Sequence, residues 1–84
     1  MSLPRRLAFI DVESTGAHPV RDRITEIAIL RVEDGVLVDR WESLVDPGMP
    51  IPALIQQVTG ITDDMVAGAP SFEALAEHVQ ALLA

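Results

Sequence analysis

With 84 residues, six arginines, no lysine and 13 acids, the chain carries a formal charge of −7. That balance opposes nonspecific binding to nucleic acid, whose phosphates call for a basic face, so any such role needs metal ions or locally placed arginines. The absence of cysteine excludes a disulfide framework and a thiolate metal site, and no apolar run nears the roughly 18 residues that span a bilayer.

Taken with the short, unremarkable N-terminus, these exclusions read as a cytoplasmic protein with no membrane partner. The length allows at most one domain, burying only about 60% of its unfolded surface, yet 49% of the residues are apolar. Residues 1–6 read as a leader, 7–46 as a strand-forming region and 47–84 as a helical segment.

Leu7 to Glu13 alternates with period two. Leu7, Phe9, Asp11 and Glu13 share one face, and Ala8, Ile10 and Val12 the other, a strand apolar on both faces until its C-terminal end. Ala17 to Arg23 (A-H-P-V-R-D-R) is polar and broken by proline, hence a surface loop. Ile24 to Val32 is β-branched and apolar on both faces, so it too reads as central rather than peripheral. Asp34-Gly35 is a strong two-residue hairpin signal, leading into a third strand over Val36 to Val45. The three strands form an antiparallel meander.

Asp46-Pro47-Gly48-Met49-Pro50 exits the sheet, Pro52 opens a short helix through Val58, and Gly60 closes it. Thr62 caps one further turn over Asp63 to Val66, whose acids suit a helix start. Ser71 caps a helix to Ala84 with the apolar stripe Phe72, Leu75, Val79, Leu82 and Leu83. His78 falls off that stripe and reads as solvated, Trp41 reads as a core or sheet-face residue, and Arg21 and Arg23 as loop charges. Two strands apolar on both faces ask for more cover than one good amphipathic helix and one short one provide.

The chemistry concentrates at F-I-D-V-E-S-T-G, residues 9–16. Asp11 and Glu13 project side by side from one strand face. Adjacent carboxylates serve a proton-sharing dyad, a glycosidase pair or a hard cation, and the first two draw their carboxyls from different segments. Same-strand acids before a tight turn best fit Mg²⁺ or Mn²⁺, which take oxygen ligands and keep waters that a phosphate can replace. Two such ions can serve an in-line phosphoryl displacement. Gly16 permits close backbone approach, and the amides around Ser14 and Thr15 suit a sugar or phosphate. The plain alternative is a solvated strand end followed by a turn. Glu26, in an otherwise apolar strand, is either a supporting group near these acids or a strand-end carboxylate with a local partner.

The order F-I-D-V-E-S-T-G, D-R-I-T-E-I-A-I-L, a D-G hairpin, L-V-D-P-G-M-P-I-P, V-T-G-I-T-D-D-M-V and A-P-S-F resembles the N-terminal part of the DEDDh 3′–5′ exonucleases, in particular the proofreading ε subunits of bacterial DNA polymerase III. The resemblance runs from Leu7 to the end of the chain. It implies an α/β, ribonuclease-H-like fold, here as a three-stranded meander followed by a short and a longer helix and ending before the remaining strands. By the same resemblance, Asp11 and Glu13 match the first two metal-binding acids, for two divalent cations, Mg²⁺ or Mn²⁺. Ser14, Thr15 and Gly16 match the turn that meets the 3′-terminal nucleotide, and Ile61 a position that packs against a base. Thr59 stands where such relatives often carry histidine.

The third acid, the general-base histidine and the fourth acid of the family have no match among these residues, and neither His18 nor His78 corresponds to that histidine. The expected substrate is a single-stranded or frayed 3′ end of DNA, with RNA equally compatible, and a DNA polymerase catalytic subunit is an expected partner. The chain alone is expected to be inactive. The rival expectation is a non-catalytic interaction module that pairs its open sheet edge with a second copy or a partner chain and carries vestigial carboxylates.

Overall fold

Asp34 and Gly35 both take positive φ, 50° and 78°. Only a two-residue turn of this hand matches the right-handed twist of its flanking strands, and it joins β2 (Ile24–Glu33) to β3 (Val36–Leu44). β1 (Arg6–Ser14) pairs antiparallel with the other side of β2, giving the order β1-β2-β3. The structure is a computed structural model describing residues 4–18 and 20–84. The first three residues of the expected leader, and Pro19 of the expected loop, lie outside the described residues.

β2 is central, as its two apolar faces predict. β1 is not: it lies at an edge of the described sheet, and Phe9, Ile10 and Val12 remain about half exposed. Alternation in β1 reports apolar character on both faces, but burial needs a partner layer, and the one long helix lies over the other two strands.

That helix, α3 (Phe72–Leu83), starts at Ser71, whose hydroxyl accepts from the Ala74 amide at 3.2 Å. Val79 and Leu82 enter a core with Ile27, Ile29 and Val45, and Leu75, Ile24 and Trp41 pack around it. Phe72 and Leu83, expected in the same stripe, stay substantially exposed. His78 is exposed as expected, but its ring meets Trp41 edge-on at 5.0 Å.

α1 (Ala53–Thr59) begins one residue later than expected, with Pro52 as its extended N-cap (ψ 141°), and ends at Gly60 in the left-handed conformation with φ 76°. α2 (Asp63–Val66) is the expected single turn capped by Thr62. Ile51, Ile61 and Val66 form a second small core against Leu44 and Ile55. Asp63 does more than favour a helix start. Its carboxylate accepts from the Ile51 amide at 2.8 Å and from Gln56 Nε2 at 3.2 Å, tying α2 to the chain before α1 and to α1 itself.

Candidate active site

Register decides what shares a face. Asp11 pairs with Ala28 and Glu13 with Glu26 across β1 and β2, and Ala28 and Glu26 pair in turn with Glu42 and Leu44 of β3. Cross-strand partners point to the same side of a sheet. Asp11, Glu13, Glu26 and Glu42 therefore occupy two neighbouring rungs of one face, opposite the face that Ile27 and Ile29 present to α3. Leu44 on this face packs against the core of Ile51, Ile61 and Val66, so the α1–α2 corner stands at the same end of the sheet as Glu13 and Glu26.

Glu42 has an arginine partner, Arg40, at 3.8 Å, whereas Asp11, Glu13 and Glu26 have no ion-pair partner among the described residues. Two like charges directly opposed on neighbouring strands destabilise the pair. The local partner weighed for Glu26 is thus, by register, another carboxylate.

The ladder is irregular at this point. Ser14 pairs with Ile24 and Glu13 with Glu26, leaving Thr25 without a β1 partner. Bulges of this kind bend a strand and re-aim its side chains, and they recur beside active sites. Thr25 is buried, its carbonyl accepts from the Val45 amide at 2.8 Å, and its hydroxyl has no hydrogen-bond partner among the described residues. Nothing in T-E-I-A-I announces the bulge, because it follows from the path of the Ser14–Gly16 turn.

That turn is closed internally. Thr15 is 1% exposed. Its hydroxyl donates to Asp22 Oδ1 at 2.9 Å and accepts from the Arg23 amide at 3.0 Å, while its own amide donates to the Arg23 carbonyl at 2.9 Å. The Ser14 hydroxyl donates to the Gly16 carbonyl, and the Gly16 amide returns a bond to Ser14 Oγ at 3.3 Å. A Cβ on Gly16 would stand 2.6 Å from Asp22 Oδ2. The close approach Gly16 permits is thus to a carboxylate of the same chain.

Asp22 Oδ2 also accepts from the His18 amide at 2.7 Å. Hydrogen bonds from the His18 amide and the Thr15 hydroxyl hold the Asp22 carboxyl below the ordinary carboxylate value. His18 Nδ1 accepts from the Val20 and Arg21 amides at 3.3 and 3.1 Å, so this histidine is committed to its own loop. Asp22 was not marked by its spacing. In the sequence it is an acid between Arg21 and Arg23 at the head of D-R-I-T-E-I-A-I-L, and its role becomes legible once the loop folds back on Thr15.

Of the remaining expected contacts, Thr59 is half-buried, its hydroxyl donating to the Ile55 carbonyl at 2.8 Å and accepting from the Ile61 amide at 3.2 Å. Ile61 is buried in the second core. Among the described residues no three His, Cys, Asp or Glu side chains converge closely enough to hold a metal. Asp11 and Glu13 nonetheless fit a hard cation: both are oxygen donors on one open face, they lack a cationic partner, and such ions take one or two protein carboxylates with water and substrate oxygens completing the shell.

A model of the Exonuclease family named for RNase T matches residues 8–84. Over 80 residues the chain is 42% identical to the 3′-5′ exonuclease DinG of Bacillus subtilis, covering 94% of this chain and 9% of that protein. Over 81 residues it is 37% identical to the PolC-type DNA polymerase III of Halalkalibacterium halodurans, covering 96% of this chain and 6% of that one. Exonuclease X, solved in complex with 5′-overhanging duplex DNA, matches with a TM-score of 0.76 at 35% identity over 86% of this chain and 42% of its own. Exonuclease I, solved with the inhibitor BCBP, shares the fold with a TM-score of 0.82 at 21% identity, over 96% of this chain and 19% of its own.

Proposed function

The chain belongs to the exonuclease family, and from that premise we propose that it carries the first two metal-binding carboxylates of a 3′–5′ exonuclease acting in DNA proofreading or repair. The observation that carries the proposal is that Asp11, Glu13 and Glu26 stand on two neighbouring rungs of one open face with no ion-pair partner among the described residues. The names of the DinG and PolC-type relatives support the 3′–5′ direction and a polymerase partner, and the DNA-bound exonuclease X supports DNA as substrate.

Asp11 and Glu13 would hold the divalent cations, Mg²⁺ or Mn²⁺. When bound, such ions supply positive charge to the attacking and leaving oxygens of a phosphodiester. The residues of the chain have simpler tasks. Asp11 and Glu13 present oxygens on one face, and the rigid Ser14–Gly16 turn walls the end of β1 where a terminal nucleotide would abut. Two carboxylates are too few for two ions, and among the described residues no three acids or histidines converge to complete the site, so the 84 residues alone are catalytically inert in this reading.

The test is Mn²⁺-dependent release of mononucleotides from 5′-labelled single-stranded DNA by a chimera in which this chain replaces the matching 42% of exonuclease X. The expected result is release that Asp11→Ala abolishes. A folded chimera that releases nucleotides equally well with Asp11→Ala overturns the assignment.

A second reading rests on β1, whose open edge and half-exposed Ile10 and Val12 suit strand addition by a second copy. A stable dimer in sizing chromatography, with no response to Mn²⁺, would favour it.

A further inference from the structure

We propose that Asp22 is a positioning residue of the carboxylate site, acting through Thr15 to set the direction of Glu13; the inference rests on the metal-binding reading of Asp11 and Glu13. The Asp22 side chain is 6% exposed although it belongs to a surface loop. A buried carboxylate demands partners, and here each oxygen has its own: Oδ1 takes the Thr15 hydroxyl and Oδ2 the His18 amide.

The Thr15 hydroxyl oxygen accepts from the Arg23 amide, and its one proton has two acceptors in reach, Asp22 Oδ1 at 2.9 Å and Met49 Sδ at 3.7 Å. A carboxylate oxygen is a far stronger acceptor than a thioether sulfur, so the proton is directed at Asp22. The Asp22–Thr15 bond therefore fastens the returning loop to the residue two positions beyond Glu13. The bulge at Thr25 opens the ladder between Glu13 and Ser14. Past that break the backbone ties at the end of β1 are the Ser14–Ile24 pair and the Thr15 amide's bond to the Arg23 carbonyl, and the latch adds a side-chain tie at the same point. Gly16 completes the device, because its missing Cβ is the space the carboxylate occupies.

Asparagine cannot substitute. Its oxygen satisfies one donor, but its NH₂ group cannot accept from the other. Groups that orient ligands from behind commonly alter metal affinity by about 10- to 100-fold when removed. Glu13 is one ligand of an open site, so the lower end, about tenfold, is expected here.

The experiment titrates Mn²⁺ against the chain by electron paramagnetic resonance of the free ion, at a temperature where circular dichroism shows each variant folded. Asp11→Ala should abolish binding. Asp22→Asn and Gly16→Ala should each weaken it about tenfold, and the double variant should be no weaker than the worse single one, since both break one latch. Thr15→Ser should bind as the parent does, because the hydroxyl is kept, while Thr15→Val should match Asp22→Asn.

Folded Asp22→Asn with parental affinity, while Asp11→Ala loses binding, overturns the positioning role and leaves the metal reading intact. A parent that binds no Mn²⁺ overturns both. Should Asp22→Asn fail to fold, Thr15→Val decides the matter in the same terms.

Discussion

Replacing Glu13 by glutamine should change stability in opposite directions without and with metal. Glu13 faces Glu26 directly across the ladder and shares its face with Asp11 two residues earlier. Opposed Cβ atoms in antiparallel strands lie about 5 Å apart, and i, i+2 neighbours about 7 Å apart. In a water-like dielectric, charges at those separations repel by about 0.8 and about 0.6 kcal/mol. Salt screens both terms, so Glu13→Gln should stabilise the metal-free chain by roughly 1 kcal/mol at low ionic strength. For a domain of this size that raises Tm by about 4–8 °C.

Mn²⁺ reverses the order. At ten times its dissociation constant a ligand of the folded state contributes about 1.4 kcal/mol, a gain the parent should show and the variant largely lose. The assay is thermal unfolding followed by circular dichroism in 10 mM salt (roughly a 30 Å Debye length), with chelator and then with increasing Mn²⁺. The reasoning fails if the metal-free variant melts at or below the parent temperature, or if Mn²⁺ raises both equally.

Thr25→Val removes a buried hydroxyl without a partner while keeping its shape, and should stabilise the chain by about 1 kcal/mol, read as a higher urea midpoint. Ile29, 1% exposed at the centre of the main core, should cost about 2–5 kcal/mol as Ile29→Ala, much of the stability of so small a chain, measured by the same titration. Gly60→Ala forces a Cβ into a residue with φ 76° and should lower Tm by several degrees, about 1 kcal/mol, whereas Gly68→Ala, where φ is not positive and space is open, should not. The Asp22 carboxyl is held below its ordinary value of 3.8, so its contribution is complete above that value and is lost as pH falls below it. Asp22→Asn should therefore flatten the acid limb of the stability curve below that pH and leave its shape near neutrality unchanged, as followed by unfolding from pH 2 to 7.

Much of the fold was legible because it is written in local terms. The Asp34-Gly35 turn, the caps Thr62 and Ser71 and the stop at Gly60 each need only a residue type and its neighbours, and each stands where those signals put it. The pairing of Asp11 with Glu13 on one face was legible for the same reason, since alternation in a strand is a property of the backbone. Cover was not legible. Phe72, Leu83, Ile10 and Val12 have the composition of buried residues, yet their exposure depends on where α3 comes to rest.

The sequence by itself determined which residue types meet the end of β1: two acids, two hydroxyls and a glycine, in an order that marks the family. Tertiary structure decided what those groups do with one another. It set Glu26 opposite Glu13, broke the ladder at Thr25, and brought Asp22 back from the loop to take the Thr15 hydroxyl and fill the space beside Gly16. The physical reason is range. Alternation and caps act over two to four residues, but cross-strand register and loop return act between residues far apart in the chain, where only the folded path brings a donor to its acceptor.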